Sequence, residues 1–305
     1  MSVHDRADAL TSGSGAPAGR LKTWARKRIE RLSGVDKYLS IYDVWRTEIA
    51  ATHPRKMNEL LRLLDVKLDI SDAAWPPEVA PGQPLVMLAN HPFGLADGIS
   101  LAAMAEQLER PYKVLINTEF LRIEAFRDHC LPVDFSNSEA ALRTNLATRK
   151  EALRLLQAGV TLMVFPAGTV ATAPRVFGRA QELPWKTFTA SLVQKSKASI
   201  LPVFFEGQNS LLFHAASHIN ASLRMSLLIA EFRRFPKSCM RIRAGAIAPF
   251  ETLAANGDRQ ALTDELFLAV HRMAPWAHGL GDRDILPPER LRKNPYKWDL
   301  PLGKG

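Results

Sequence analysis

The run Leu85-Val86-Met87-Leu88-Ala89-Asn90-His91-Pro92-Phe93-Gly94-Leu95-Ala96-Asp97-Gly98 decides how this chain is read. Its first five residues make a strand-sized apolar stretch, and a helical apolar pattern begins directly afterwards with Ile99, Leu101, Ala102 and Met104. Between the two, Pro92 and Gly94 are turn formers. A strand that turns straight into a helix is the unit from which parallel sheets are assembled.

Working outward, strand-like runs recur over 113–116, 131–133, 161–165 and 200–205, with later ones near 226–230 and 240–244. Helical stretches separate most of them. The clearest covers 138–157, where Ala141, Leu142, Leu146, Ala152, Leu153 and Leu156 keep one face apolar and Gly159 supplies the stop. The expected fold is therefore α/β: a mostly parallel central sheet flanked by helices on both faces.

Towards the amino terminus the character changes. Residues 1–19 are small and polar and read as disordered. Over 20–32, Leu21, Trp24, Ala25, Ile29 and Leu32 recur at helical spacing beside Lys22, Arg26, Lys27 and Arg31, the pattern of a basic amphipathic helix. Helices are expected over 36–50 and 54–64, before Trp75-Pro76-Pro77 and Pro81-Gly82 interrupt. The reading divides the chain into a disordered segment at 1–19, a helical extension at 20–78, the main domain at 79–275 and an irregular segment at 276–305, the last marked by Leu286-Pro287-Pro288 and Asn294-Pro295.

Bulk properties narrow the classes. Hydrophobic residues make up 47% of the 305, enough for a full core. Two cysteines far apart, Cys130 and Cys239, suggest neither a disulfide framework nor a sulfur zinc site, and point to a reducing compartment. No apolar leader is seen, and the longest apolar runs are strand-sized, well short of the roughly 20 residues that span a bilayer. A formal charge of +9 favours anionic partners, whether nucleic acid, acidic headgroups or phosphorylated compounds. No nucleic-acid module is recognisable.

Chemistry concentrates at strand ends. His91 and Asp97 would lie about 20 Å apart in a continuous strand and on different sides of a continuous helix, so only a reversal brings them together. Such a pair orients an imidazole: the carboxylate holds one ring nitrogen and the other takes a proton from a hydroxyl or amine. An isolated pair at this spacing is more often a histidine packed on a helix-capping aspartate. A second strand end carries Pro166-Ala167-Gly168-Thr169, a tight turn with backbone N–H groups and a hydroxyl suited to an anion. A third, 200–205, leads into Glu206-Gly207-Gln208-Asn209-Ser210.

With these blocks in order, the chain resembles the glycerolipid acyltransferase superfamily, the lysophospholipid and glycerol-phosphate acyltransferases, in its haemolysin-like branch. Asn90-His91 through Asp97-Gly98 is similar to the first block, Phe165-Pro166-Ala167-Gly168-Thr169 to the third and Leu201-Pro202-Val203 to the fourth. The stretch 117–134 resembles the weaker second block. Two departures stand out: five residues rather than four separate His91 from Asp97, and Ala167 occupies the place of a glutamate.

The resemblance implies His91 as general base, Asp97 as its orienting partner, and Asn90, Arg122, Phe165, Pro166, Gly168, Thr169 and Pro202 as substrate-binding. It implies acyl transfer from acyl-CoA or acyl-carrier protein, as co-substrate and without a resident cofactor, to a lysophospholipid-like acceptor. A cytoplasmic protein held peripherally on the inner face of an anionic membrane is expected, with no nucleic acid and no metal. Arg175, Arg179 and Lys186 are further candidates for a phosphate, and His214 and His218, four apart, read as ordinary histidines. A non-catalytic lipid-binding protein on the same scaffold is the alternative.

Overall fold

In the computed structural model, residues 35–118, 127–134, 136, 138–175, 177–219, 221–253 and 258–287 are described. The expected disordered amino terminus, the basic helix over 20–32, Arg122 and the chain after 287 lie outside them. Seven strands form one sheet: β1 (Lys67–Asp72), β2 (Leu85–Ala89), β3 (Tyr112–Asn117), β4 (Cys130–Val133), β5 (Thr161–Val164), β6 (Ser199–Phe205) and β7 (Cys239–Ala244). Their spatial order is β1-β7-β6-β2-β5-β3-β4, every neighbouring pair parallel except β6 with β7.

The three central strands, β2, β5 and β6, are buried along their whole length, which is why they read as unbroken apolar runs. Alternation still sorts their side chains into two cores. Leu85, Met87, Met163, Leu201, Val203 and Phe205 face one side, whereas Val86, Leu88, Leu162, Val164, Ile200 and Phe204 face the other. The first core is covered by α1 (Val35–Val44), the π-helical turn Trp45–Ile49, α2 (Lys56–Leu63) and α3 (Leu95–Gln107). On the second side lie α4 (Glu139–Gln157), α5 (Thr187–Ser196) and α8 (Arg259–His271), while α6 (Leu211–Ser217) and α7 (Ala221–Phe232) form a hairpin between β6 and β7.

The α/β architecture agrees with the expectation, with four corrections. Strand β1 lies inside the segment read as a helical extension; only Leu68 and Ile70 are apolar in it, alternating with polar residues at the sheet edge, so its signal was weak. That segment shares the first core through Trp45, Met57, Leu60 and Leu61, so it is not set apart from the rest. The run 226–230 is not a strand but part of α7, because a short apolar run carries no period by itself. In α4, capped by Ser138 Oγ accepting from Ala141 N, the buried face is Ala141, Thr148, Ala152, Leu155 and Leu156, and Leu142 and Leu146 are exposed. At the carboxyl end the described part packs down: α9 (Asp282–Ile285) buries Ile285 and pairs Asp282 with Arg272 at 2.7 Å.

Glu106 joins α3 to the start of α2. Its carboxylate accepts from Met57 N at 2.9 Å, Asn58 N at 3.0 Å, Asn58 Nδ2 at 2.8 Å and the Tyr112 hydroxyl at 3.2 Å, serving as the cap that Arg55 does not provide. Glu106→Ala strands those donors, and a loss of about 2–3 kcal/mol is expected in chemical denaturation, still as one transition. Two separate transitions would show that α2 folds apart from the sheet.

Candidate active site

Strand β2 ends at the carboxyl edge of the sheet, and Asn90 fixes that end sideways. Its Nδ2 donates to Phe205 O at 3.0 Å and its Oδ1 accepts from Phe205 N at 2.7 Å, so the amide expected to meet substrate clamps β2 to β6 instead. The chain then reverses through Pro92 and Gly94. Gly94 has φ of 83°, and a Cβ there would lie 2.9 Å from Leu228 Cδ1 and 3.2 Å from Val170 Cγ2. The conformation requires glycine at this position, and the Leu228 and Val170 side chains crowd it further.

The reversal delivers Asp97, in the first turn of α3, to His91. One carboxylate oxygen, Asp97 Oδ2, accepts from Phe93 N at 2.7 Å and Gly94 N at 2.9 Å, and stands 3.1 Å from His91 Nδ1. That approach is oblique to the ring N–H and falls short of a straight hydrogen bond. Asp97 is thus both the capping aspartate and the partner of the imidazole. It is fully buried, and burial raises its pKa above the ordinary carboxylate value against the opposing pull of His91 and the two N–H groups. His91 keeps 18% of its side chain exposed, so the ring is reached from the rim.

His91 is also held from behind. Its ring stacks on Phe165 with centroids 4.1 Å apart, its carbonyl accepts from Ala171 N at 2.8 Å, and its N–H donates to Glu182 Oε1 at 2.8 Å. Glu182 Oε2 accepts from Trp185 Nε1 at 2.9 Å and lies 3.3 Å from His271 Nε2, whose ring stacks on Phe267. Nothing in the sequence around Glu182 singled it out. A buried carboxylate therefore reaches the site from elsewhere in the chain, while Ala167 packs into the second core.

The turn after β5 closes with Gly168 N donating to Phe165 O at 2.9 Å, with Gly168 at φ of 69°. Thr169 Oγ1 accepts from Arg224 Nη2 at 3.3 Å. The Arg224 guanidinium, buried and arriving from α7, also donates to Val170 O at 2.7 Å, Thr172 Oγ1 at 2.5 Å and Ser217 Oγ at 2.7 Å. Sequence reading missed it, having taken the middle of α7 as a strand. Thus His91, Asp97, Phe165, Gly168 and Thr169 come together at one edge.

Other candidates go elsewhere. Pro166 is buried, and Pro202 lies inside β6 opposite Leu88, in the core and short of the rim. Arg179 places its guanidinium 3.4 Å from the centre of the Trp276 ring, and Arg175 and Lys186 are exposed. His214 Nδ1 accepts from Ala173 N at 3.3 Å and His218 Nε2 lies 2.9 Å from Ala173 O, so both serve the backbone. Among the described residues no group of three or more His, Cys, Asp or Glu is placed to hold a metal, and no helix is long and apolar enough to cross a membrane.

Because Asp97 binds its proton more tightly folded than unfolded, its ionised form costs stability at neutral pH, and that cost disappears as pH falls through the folded-state value. Asp97→Asn keeps an oxygen for Phe93 and Gly94 while removing the buried charge. The variant is expected to be more stable than the natural chain at about pH 7, with the gain shrinking by about pH 4, in denaturation series at each pH. A uniform loss would mean that the charge itself holds the turn.

The family model described as "Acyltransferase" matches residues 76–258, more than half of the chain. Two curated relatives are lyso-glycine lipid O-acyltransferases: that of Bacteroides thetaiotaomicron is 25% identical over 177 residues, 56% of this chain and 59% of the relative, and that of Phocaeicola vulgatus is 24% identical over 176 residues, 56% and 58%. The chain thus spans somewhat over half the length of these relatives. Among solved structures, the 1-acyl-sn-glycerophosphate acyltransferase PlsC from Thermotoga maritima aligns with 15% identity and a TM-score of 0.42, over 72% of this chain and 78% of that one. With the first, third and fourth blocks lying at adjacent strands of one parallel sheet, and the matched region enclosing all of them, the chain belongs to the acyltransferase family.

Proposed function

We propose that this protein transfers a fatty acyl group from a thioester to the hydroxyl of a single-chain amphiphile, at the inner face of an anionic membrane. The observation that carries the reading is the partly exposed His91 ring backed by the buried carboxylate of Asp97 at 3.1 Å. With Nδ1 buried beside Asp97, Nε2 is the nitrogen left to take the acceptor's proton. The acceptor oxygen then bonds to the thioester carbonyl carbon, the carbon–sulfur bond breaks, and the departing thiolate takes up the proton held by His91. A thiolate leaves readily, so a single histidine suffices.

The donor is acyl-CoA or acyl-carrier protein. For the acceptor, the curated relatives named as lyso-glycine lipid O-acyltransferases favour a lyso-aminolipid, and Ala167 in place of the resembled family's glutamate argues against a glycerol-phosphate headgroup.

The test incubates purified protein with labelled acyl-CoA or acyl-carrier protein and defined lysolipids, and identifies products by mass spectrometry. Transfer to a lyso-aminolipid is expected to exceed transfer to lysophosphatidate. His91→Ala, checked for folding, is expected to lose about 10²–10⁴-fold in rate or more, and Asp97→Asn to fall in the same direction without losing the fold. A folded His91→Ala protein that acylates at the natural rate overturns the reading; lipid binding with no turnover supports the non-catalytic alternative.

A further inference from the structure

The large apolar side chains left in water are unevenly placed. Among the described residues, Leu142 (62% exposed) and Leu146 (57%) stand on the first turns of α4, Phe177 (88%) in the loop after β5, and Leu212 (65%) and Ile219 (66%) on the α6–α7 hairpin. Each of these segments leaves the carboxyl end of a parallel strand, the edge at which His91 lies. In the same exposed set, only Val44 and Leu280 lie outside segments of this kind.

Those of the loop and the hairpin are not scattered singly. Ala180 N donates to Gln208 Oε1 at 2.8 Å and Gln208 Nε2 to Gly178 O at 3.3 Å, which ties the Phe177 loop to the root of the hairpin. The hairpin in turn touches the site, through Leu228 beside Gly94 and Arg224 on Thr169. On a protein surrounded by water, apolar side chains grouped along one rim mark a contact surface.

Charge on the same rim selects the partner. From residue 167 to the end of α7 the acidic residues are Glu182, Glu206 and Glu231: Glu182 is buried behind His91, Glu206 pairs with Arg243, and Glu231 accepts from Ser210 N at 3.1 Å. Arg175, Arg179 and Lys186 are exposed in the same span. On α4, Glu139 is exposed and lies 3.5 Å from Arg143. On the loop and the hairpin, apolar side chains beside cations, with each carboxylate engaged, match the interface of an anionic bilayer, where apolar groups enter the acyl boundary and cations meet headgroups.

We propose that the carboxyl rim of the sheet, formed by the α6–α7 hairpin, the Phe177 loop and the start of α4, is the surface this protein lays on an anionic bilayer. His91 then faces the headgroup layer, and an amphiphilic acceptor reaches it by moving along the interface. This deepens the acyl-transfer reading, on which its purpose rests, and assigns membrane contact to the rim independently of the basic segment at 20–32.

The test uses the full chain and a Phe177→Ser/Leu212→Ser/Ile219→Ser variant, with folding checked by circular dichroism. Sedimentation is measured with vesicles of phosphatidylcholine alone or mixed with phosphatidylglycerol. The natural chain is expected to prefer the mixed vesicles, and the variant to bind them at least about 10-fold more weakly. Its turnover of a soluble, monomeric acceptor is expected to be unchanged. Undiminished vesicle binding by the folded variant overturns the proposal, as does weakening confined to turnover with a carrier-protein donor, which would make the rim a protein-docking surface. Rim-dependent vesicle binding by a natural chain that transfers no acyl group supports the surface while removing the proposed function.

Discussion

One oxygen atom, Asp97 Oδ2, stands at the centre of this structure. It takes up two backbone N–H groups of a turn that would otherwise bury them without partners, and the same contacts hold the imidazole of His91 beside it. Its burial carries an energetic cost, visible in the raised pKa of the carboxyl group. A fold under no functional demand has cheaper ways to start a helix, since serine or asparagine caps without a buried charge. The aspartate is informative because it is more than a cap requires.

Everything around that oxygen restrains His91. Asn90 locks the preceding strand end to β6, Phe165 covers one face of the ring, and Glu182 with Ala171 holds the backbone on both sides. The restraint extends to α8, since Glu182 is itself positioned by Trp185 and His271. A general base gains from such rigidity, because orientation that is already fixed need not be lost when the reaction begins.

What was legible in the sequence follows from distance along the chain. The central strands announced themselves as apolar runs because both faces are buried, and His91 with Asp97 could be read together because one short turn contains both. Glu182 could not be read so, lying 91 positions from the backbone group it holds, nor Arg224, 55 positions from Thr169. Motif membership also says nothing of direction: Asn90 and Pro202 belong to the expected blocks, yet one faces a neighbouring strand and the other the core. The edge strand β1 was hidden by its polar alternation, and Leu142 and Leu146 looked like core because their spacing fits a helix face, which tells only that they share a side.

The reversal of direction between β6 and β7 has a consequence for where this scaffold can change. In an all-parallel arrangement the connection would have to travel the length of the sheet before the next strand began. Here both feet of the α6–α7 hairpin stand at the same edge, since β6 ends at Phe205 opposite Ile242 and β7 begins just beyond that point and runs back antiparallel. The hairpin is therefore an excursion with adjacent ends, whose outer residues such as Leu212 and Ile219 can change without altering the register of any strand, whereas Arg224 and Leu228 are tied to the site. Its exposed outer face and its inner face thus answer to different constraints, the first to what lies outside the protein and the second to the turn that carries His91.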